Sequence, residues 1–341
     1  MTPKSFLALS GVTLAAVAAA AVAAGLEGAQ PALAERGERL FPDLPDRADG
    51  IARITVRDGA MRMEIEKQEG RFVDAVSGYP VDAATLRDLV TSVGALEIAE
   101  RKTDDPARHA DLDLAAWDAE AGAGAEITLL DEEGEPIADL VAGARDYTLG
   151  GVSGGQFVRR GTEDQAWLVR GRVEASTRRR AWFRTTLHDG ETAEIVRMAL
   201  TPAGAAPIPF EREGEALALA IDPPEGRVAD ADRPDRIARS LANLDFEDVR
   251  PDGGLAETGA TLWAETAAGL RLHLARVAAP EETEGEDAIW ARIRAEALRP
   301  EAEDAAAALA ARTEGFVFRL SAWDGAPLGW TLDDLTEPVG S

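Results

Sequence analysis

Two stretches of this chain read alike, and any fold has to accommodate both. Residues 78–102, GYPVDAATLRDLVTSVGALEIAERK, set Asp82 ahead of a run in which Leu86, Leu89, Val90, Val93 and Leu96 recur at helical spacing. Thr85, Arg87, Asp88 and Ser92 fall on the other, wetter side, so the spacing predicts a short amphipathic helix. Residues 230–249, DADRPDRIARSLANLDFEDV, repeat the arrangement, with Ile237, Leu241, Leu244 and Phe246 matching Leu89, Val93, Leu96 and Ile98. Asp230 takes the place of Asp82, although Pro234 makes the second helix begin later.

What precedes and follows each helix is strand-like. Ile54 and Val56 alternate with Arg53, Thr55 and Arg57, Asp58-Gly59 makes a hairpin turn, and Met61, Met63 and Ile65 alternate on the return. Glu194–Leu200 resembles the opening strand of the first copy, Ile208–Arg212 returns after a longer turn, and two more hairpin strands lie at 260–265 and 270–275. Gly315–Leu320 echoes Gln156–Arg160, while Ile289–Ala311, rich in Ala, Glu and Arg, reads as a helical insertion broken at Pro300. The expected fold class is α+β: an N-terminal transmembrane helix, then a tandem repeat of antiparallel-sheet units, each with one amphipathic helix packed on its sheet. The divisions fall at 1–27 (anchor or signal), 28–49 (linker), 50–175 (first unit), 176–190 (junction) and 191–338 (second unit).

The N-terminal expectation rests on the uncharged run Ser5–Leu26 behind Lys4. At about 1.5 Å per residue a helix of that length reaches across a bilayer's hydrocarbon, and it exceeds the usual apolar region of a signal peptide. Small residues from Val22 to Gly25 suit a signal peptidase, so a cleaved signal competes with the favoured anchor. Either reading puts the bulk of the chain outside the cytoplasm; the anchored one makes it a single-pass cell-membrane protein with a periplasmic body.

Charge and composition narrow the chemistry. A formal net charge of −26 disfavours nucleic acid as a partner, because phosphate contacts need clustered Lys and Arg. With no cysteine, disulfides, thiol catalysis and thiolate metal sites drop out. Residues 103–124 hold Asp104, Asp105, His109, Asp111, Asp113 and Asp118, a spacing that fits neither an EF-hand loop nor a zinc pattern, and read as a solvated acidic loop; a Ca²⁺-stabilised domain is the weakest alternative. The glycines from Gly150 to Gly155 lead into a strand with no Lys behind them, unlike a phosphate-binding loop. His109, His188 and His273 fall in a loop, at the junction and in a strand, outside any nucleophile-base motif. The one concentration of positive charge is Ser176–Arg184, STRRRAWFR, which makes Arg178, Arg179, Arg180, Trp182 and Phe183 the candidate partner contact. Packing of these arginines on acidic neighbours is the plainer alternative. No catalytic, cofactor or metal residue is expected.

The arrangement resembles the DUF4340 family. The resemblance rests on Ile54-Thr55-Val56, Glu64-Ile65-Glu66-Lys67, Gly70-Arg71-Phe72, Tyr79-Pro80-Val81-Asp82 with its helix, Gly155–Arg159 and Ala166–Val169. It continues at Phe316–Leu320, Trp323 and Leu332–Leu335. It implies a membrane-anchored extracytoplasmic protein, in a family often associated with auxiliary proteins of gliding-motility-type ABC transporters, and it transfers no catalytic set. The expected function is a non-catalytic accessory protein that binds partner subunits of an ABC-type envelope transport complex. The alternative is a binding module for an envelope polymer or small ligand held between the two repeat units.

Overall fold

The computed structural model describes residues 35–149, 154–281 and 288–339. The expected membrane span at 5–26 lies outside these residues, as do 150–153 of the glycine-rich segment and 282–287 of the second acidic loop. Among the described residues no helix is long and apolar enough to cross a membrane. The longest, α1 (Ala83–Gly94), has 12 residues, so at about 1.5 Å per residue it falls well short of a hydrocarbon core of about 30 Å. The expected fold class is corrected accordingly: the described residues form mostly antiparallel sheet with few helices, and none of those helices supports the expected transmembrane span. By contacts the chain divides into two units, residues 1–67 with 83–177, and residues 68–82 with 178–341.

The first sheet is built from β1 (Arg53–Asp58), β2 (Met61–Gln68), β3 (Arg71–Asp74), β4 (Glu97–Arg101), β5 (Ala125–Leu130), β6 (Pro136–Asp146), β7 (Gly155–Arg160) and β8 (Ala166–Arg170), in the order β3-β2-β1-β5-β6-β7-β8-β4. Ile54 pairs with Ile65 and Leu129, and Val56 with Met63 and Ile127. All six are buried, so one register places a whole apolar row on the core face. Leu89, Val93 and Gly94 form the buried side of α1. Along β4, Gly37 N donates to Ile98 O, Ile98 N to Glu38 O and Leu40 N to Leu96 O, each at 2.8 Å, which covers that strand's outer edge. Leu40 and Leu44 are buried, so this part of the expected linker packs as well as connects.

The second unit contains β9 (Thr186–Asp189), β10 (Ile195–Thr201), β11 (Ile208–Glu213), β12 (Ala216–Leu219), β13 (Arg227–Ala229), β14 (Asn243–Asp245), β15 (Asp248–Pro251), β16 (Glu257–Thr266), β17 (Leu270–Val277), β18 (Ile289–Ala297), β19 (Phe316–Leu320) and β20 (Thr336–Pro338). Its main sheet runs β12-β11-β10-β16-β17-β18-β19-β15, and β13 with β20 and β14 with β9 form two-stranded ribbons. Strand for strand, this order is the order of the first sheet. Helix α2 (Arg233–Ala242) holds the place of α1 and buries Ile237, Ala238, Leu241 and Ala242.

Two details of the repeat differ from the sequence reading. Residues 289–297 are strand β18, paired with β17 from Leu270↔Ala297 to Val277↔Trp290, and only Glu303–Thr313 (α3), beyond Pro300, is α-helical. Buried Trp290, Ala291 and Ile293 anchor that ladder, and sheet pairing outweighs the helix propensity of the Ala, Glu and Arg among them. In consequence β18 stands where β7 does and β19 where β8 does, so Phe316–Leu320 corresponds to Ala166–Arg170 and not to Gln156–Arg160.

Candidate functional site

The basic-aromatic junction is the first place to look, and most of it turns inward. Arg179–Trp182 forms a 3₁₀ turn; Trp182 and Phe183 are buried, while Arg178 and Arg180 are exposed. The Arg179 guanidinium donates to Asp74 Oδ2 from Nη2 (2.7 Å) and Nε (3.2 Å), to Asp248 Oδ1 from Nη1 (2.7 Å), and to the Val249 carbonyl from Nη2 (3.2 Å). Asp74 is fully buried and its Oδ2 also accepts from Ser77 N (2.8 Å) and Oγ (2.5 Å). Burial pushes the Asp248 carboxyl above the ordinary carboxylate range, with the Arg179 charge pulling it back. Phe183 meets Tyr79 edge-on at 5.4 Å, and Tyr79 makes the same kind of contact with Phe246, Phe316 and Phe318. Burial also raises the Tyr79 phenol, against the nearby Arg312. Of the five residues expected to meet a partner, Arg179, Trp182 and Phe183 thus build the interior of the second unit.

The remaining sequence candidates stay apart. His109 is buried in the 3₁₀ segment Pro106–Leu112 with Nε2 2.7 Å from the Asp164 carbonyl, to which it donates. In the same loop Asp105 accepts from Ala107 N at 3.0 Å and Asp113 is a left-handed C-cap. His188 lies on β9 and His273 on β17; burial lowers the pKa of both, opposed at His188 by Glu194 and Asp189 and reinforced at His273 by Arg294. Among the described residues no group of three or more His, Cys, Asp or Glu side chains could hold a metal ion.

A cleft of about 520 Å³ in the second unit offers a binding geometry that the sequence reading did not single out. Its walls come from the β10–β11 turn (Pro202, Ala203), the start of β16 (Thr258, Ala260), the end of β17 (Arg276, Val277) and the C-terminal Leu328–Thr331 segment. The pairing of β16 with β17 slips between Glu257 and Thr261, and Gly259 inside that bulge has φ 90°, a backbone only glycine adopts freely. The bulge takes residues 258–260 out of the ladder, and Thr258 and Ala260 among them line the cleft. At its base Val277 belongs to a buried cluster with Trp290 and Val317, so the floor is part of the core.

Trp330 forms the aromatic wall and is held by stacked cations. Arg233 Cζ lies 4.7 Å and Arg236 Cζ 5.2 Å from its ring centroid, and Arg236 also sits 3.9 Å over Trp323. Both arginines project from α2, so the repeated helix of this unit also positions the wall. Arg276 is the sole charged side chain lining the cleft, and it forms no ion pair with a described residue. The other lining groups are chiefly Ala, Val, Leu and Pro.

A second hollow, about 360 Å³, lies against Trp263, Arg271, His273, Arg294 and Glu296. There the cations are already answered. Arg197 and Arg271 both meet Glu265, and Arg271 also meets Glu296. Burial pushes the Glu265 carboxyl up, but the Arg197 and Arg271 bonds and charges outweigh it and hold it below the usual range.

Comparison with known proteins matches residues 72–262 to the family described as Domain of unknown function (DUF4340), more than half of the chain. No curated protein and no solved structure matches it.

Proposed function

The chain belongs to the DUF4340 family, and from that premise we propose a non-catalytic binding module that takes a small, mostly apolar ligand into the Trp330 cleft and works as an accessory to another extracytoplasmic protein. One observation carries the reading: a pre-formed cleft of about 520 Å³, within the size range of small-molecule sites, with an aromatic wall fixed by two stacked arginines. Its single charged group favours holding over turnover. A guanidinium stays protonated at any working pH, so Arg276 can anchor a ligand but cannot shuttle its protons. The partner subunits of an envelope transport complex implied by the family resemblance remain part of the proposal, with exposed Arg178 and Arg180 as the positions of contact.

Two experiments separate these parts. A thermal-shift screen of envelope lipids and glycans should raise the melting temperature with apolar compounds in wild type and less so in Trp330→Ala. A screen without any such shift sinks the cleft reading. Affinity purification of the full chain should recover a transporter component, and Arg178→Glu with Arg180→Glu should release it; recovery of none refutes the accessory role.

A further inference from the structure

We propose that the ligand of the Trp330 cleft is an apolar monocarboxylate, its acid group paired with Arg276 and its hydrocarbon laid against Trp330. The inference rests on the binding reading above and adds its chemistry. The chain carries a net charge of −26, and in the second hollow Arg271 meets Glu265 and Glu296 while Arg294 lies near Glu257. Arg276 is different. It is half-buried at the end of β17, lines the cleft of about 520 Å³, and has no carboxylate partner among the described residues.

A guanidinium with no carboxylate partner among the described residues, set near an aromatic wall, is a receptor for one anion, because charge-assisted hydrogen bonds strengthen where water is partly excluded. The two threonine side chains at the cleft are already engaged. Thr258 Oγ1 donates to the Arg276 carbonyl at 3.3 Å, and Thr331 N and Oγ1 both donate to Asp334 at 2.8 and 2.9 Å. A second anionic group would find no second cationic side chain in the lining. One carboxylate on a hydrocarbon body satisfies the site.

The probes are decanoate and decanol, which share a chain and differ in the head group, titrated below their aggregation limits into the full-length chain by calorimetry and tryptophan fluorescence. Decanoate should bind about tenfold or more tightly than decanol, since a hydrogen bond to a charged group outweighs a neutral one. Arg276→Gln should bring decanoate down to the level of decanol and leave decanol unchanged, while Arg276→Lys keeps part of the preference. Gly329→Leu adds a side chain where no atom lies within 4 Å of the glycine's missing Cβ; it should keep the fold and weaken both probes. Equal affinity for the two probes, or unaltered decanoate binding in Arg276→Gln, overturns the carboxylate assignment while leaving the cleft reading standing. If neither probe binds wild type, or Gly329→Leu weakens neither, the cleft reading itself is lost.

Discussion

Removing Arg179 should unfold more of this protein than removing any surface arginine. Its side chain is 18% exposed and bridges Asp74, 1% exposed, and Asp248, 17% exposed. Arg179→Ala strips the charge partner from a carboxylate with almost no access to water, leaving Asp74 with Ser77 alone. Taking away one member of a buried ion pair costs about 3–5 kcal/mol, mostly because the remaining charge stays desolvated. Arg179→Lys supplies one point charge where the fork reached two carboxylates and a carbonyl, and should lose roughly half as much. The penalty has a signed pH dependence. Burial already raises the folded-state pKa of Asp248 with Arg179 opposing it, so loss of Arg179 raises it further. The folded variant then binds a proton at Asp248 that the unfolded chain does not yet bind, and its stability recovers as the pH falls into the carboxylate range. Urea unfolding followed by fluorescence of the adjacent, buried Trp182 at pH 7.5 and pH 5 measures both effects. A penalty under about 1 kcal/mol at neutral pH, or one that grows toward pH 5, would refute this account of the bridge.

Three further outcomes follow from the same packing and charge arguments. Tyr79→Ala opens a hole among four phenylalanines and should cost about 3–5 kcal/mol in chemical denaturation, whereas Tyr79→Phe keeps the edge-on contacts and should cost about 1 kcal/mol. His188 and His273 have folded pKa values below 6.5, so the folded chain binds fewer protons than the unfolded one just below that pH. Stability is lost as the pH falls from about 7 toward their folded values, and the double variant His188→Gln/His273→Gln should show a flatter melting temperature across pH 7 to 5. Gly143→Ala would place a methyl 2.3 Å from the Leu112 carbonyl, and should lower the first unit's denaturation midpoint by an overpacking cost of about 1–3 kcal/mol.

The scaffold was legible wherever one periodicity held over many residues. Ile54, Val56, Met63 and Ile65 alternate cleanly, and they are the buried rungs of β1 and β2. Leu89 and Val93, with Ile237 and Leu241 as their counterparts, mark the buried sides of α1 and α2. The reading failed where tertiary pairing overrides local preference. Residues 289–297 contain Ala, Glu and Arg suited to a helix, yet the ladder to β17 claims them as strand. At the junction, Trp182 and Phe183 advertised a contact surface, but a contiguous STRRRAWFR run does not reveal that Asp74, far away in sequence, meets Arg179. The cleft was the least legible feature. Pro202, Thr258, Arg276 and Trp330 converge from four separate segments, and the only local signal was Gly259 interrupting the alternation at the start of β16.

The placement of that cleft follows from how the two copies have diverged. Both sheets have the same eight-strand order, so the order itself cannot account for a site found in one of them. The differences are local. Strand β16 is 10 residues long where its counterpart β5 has 6, and its added leading residues carry the bulge around Gly259. The connection from β7 to β8 is only residues 161–165, whereas the one from β18 to β19 spans 298–315 and holds α3. Beyond β19 the second copy continues into the segment that supplies Leu328 and Trp330, and α2 carries Arg233 and Arg236 to stack on that tryptophan. At the corresponding places on α1, aligned through Leu89 with Ile237, stand Thr85 and Asp88, neither able to make such a stack. A duplicated sheet supplies a rigid floor in both copies, and in the second β16 outruns β5, carries the bulge around Gly259 and faces a helix whose arginines hold the aromatic wall. The binding function proposed above therefore belongs to the departures from the repeat, and exchanging Arg233 and Arg236 for the Thr and Asp of α1 should loosen Trp330 and weaken cleft binding while α2 keeps its buried face.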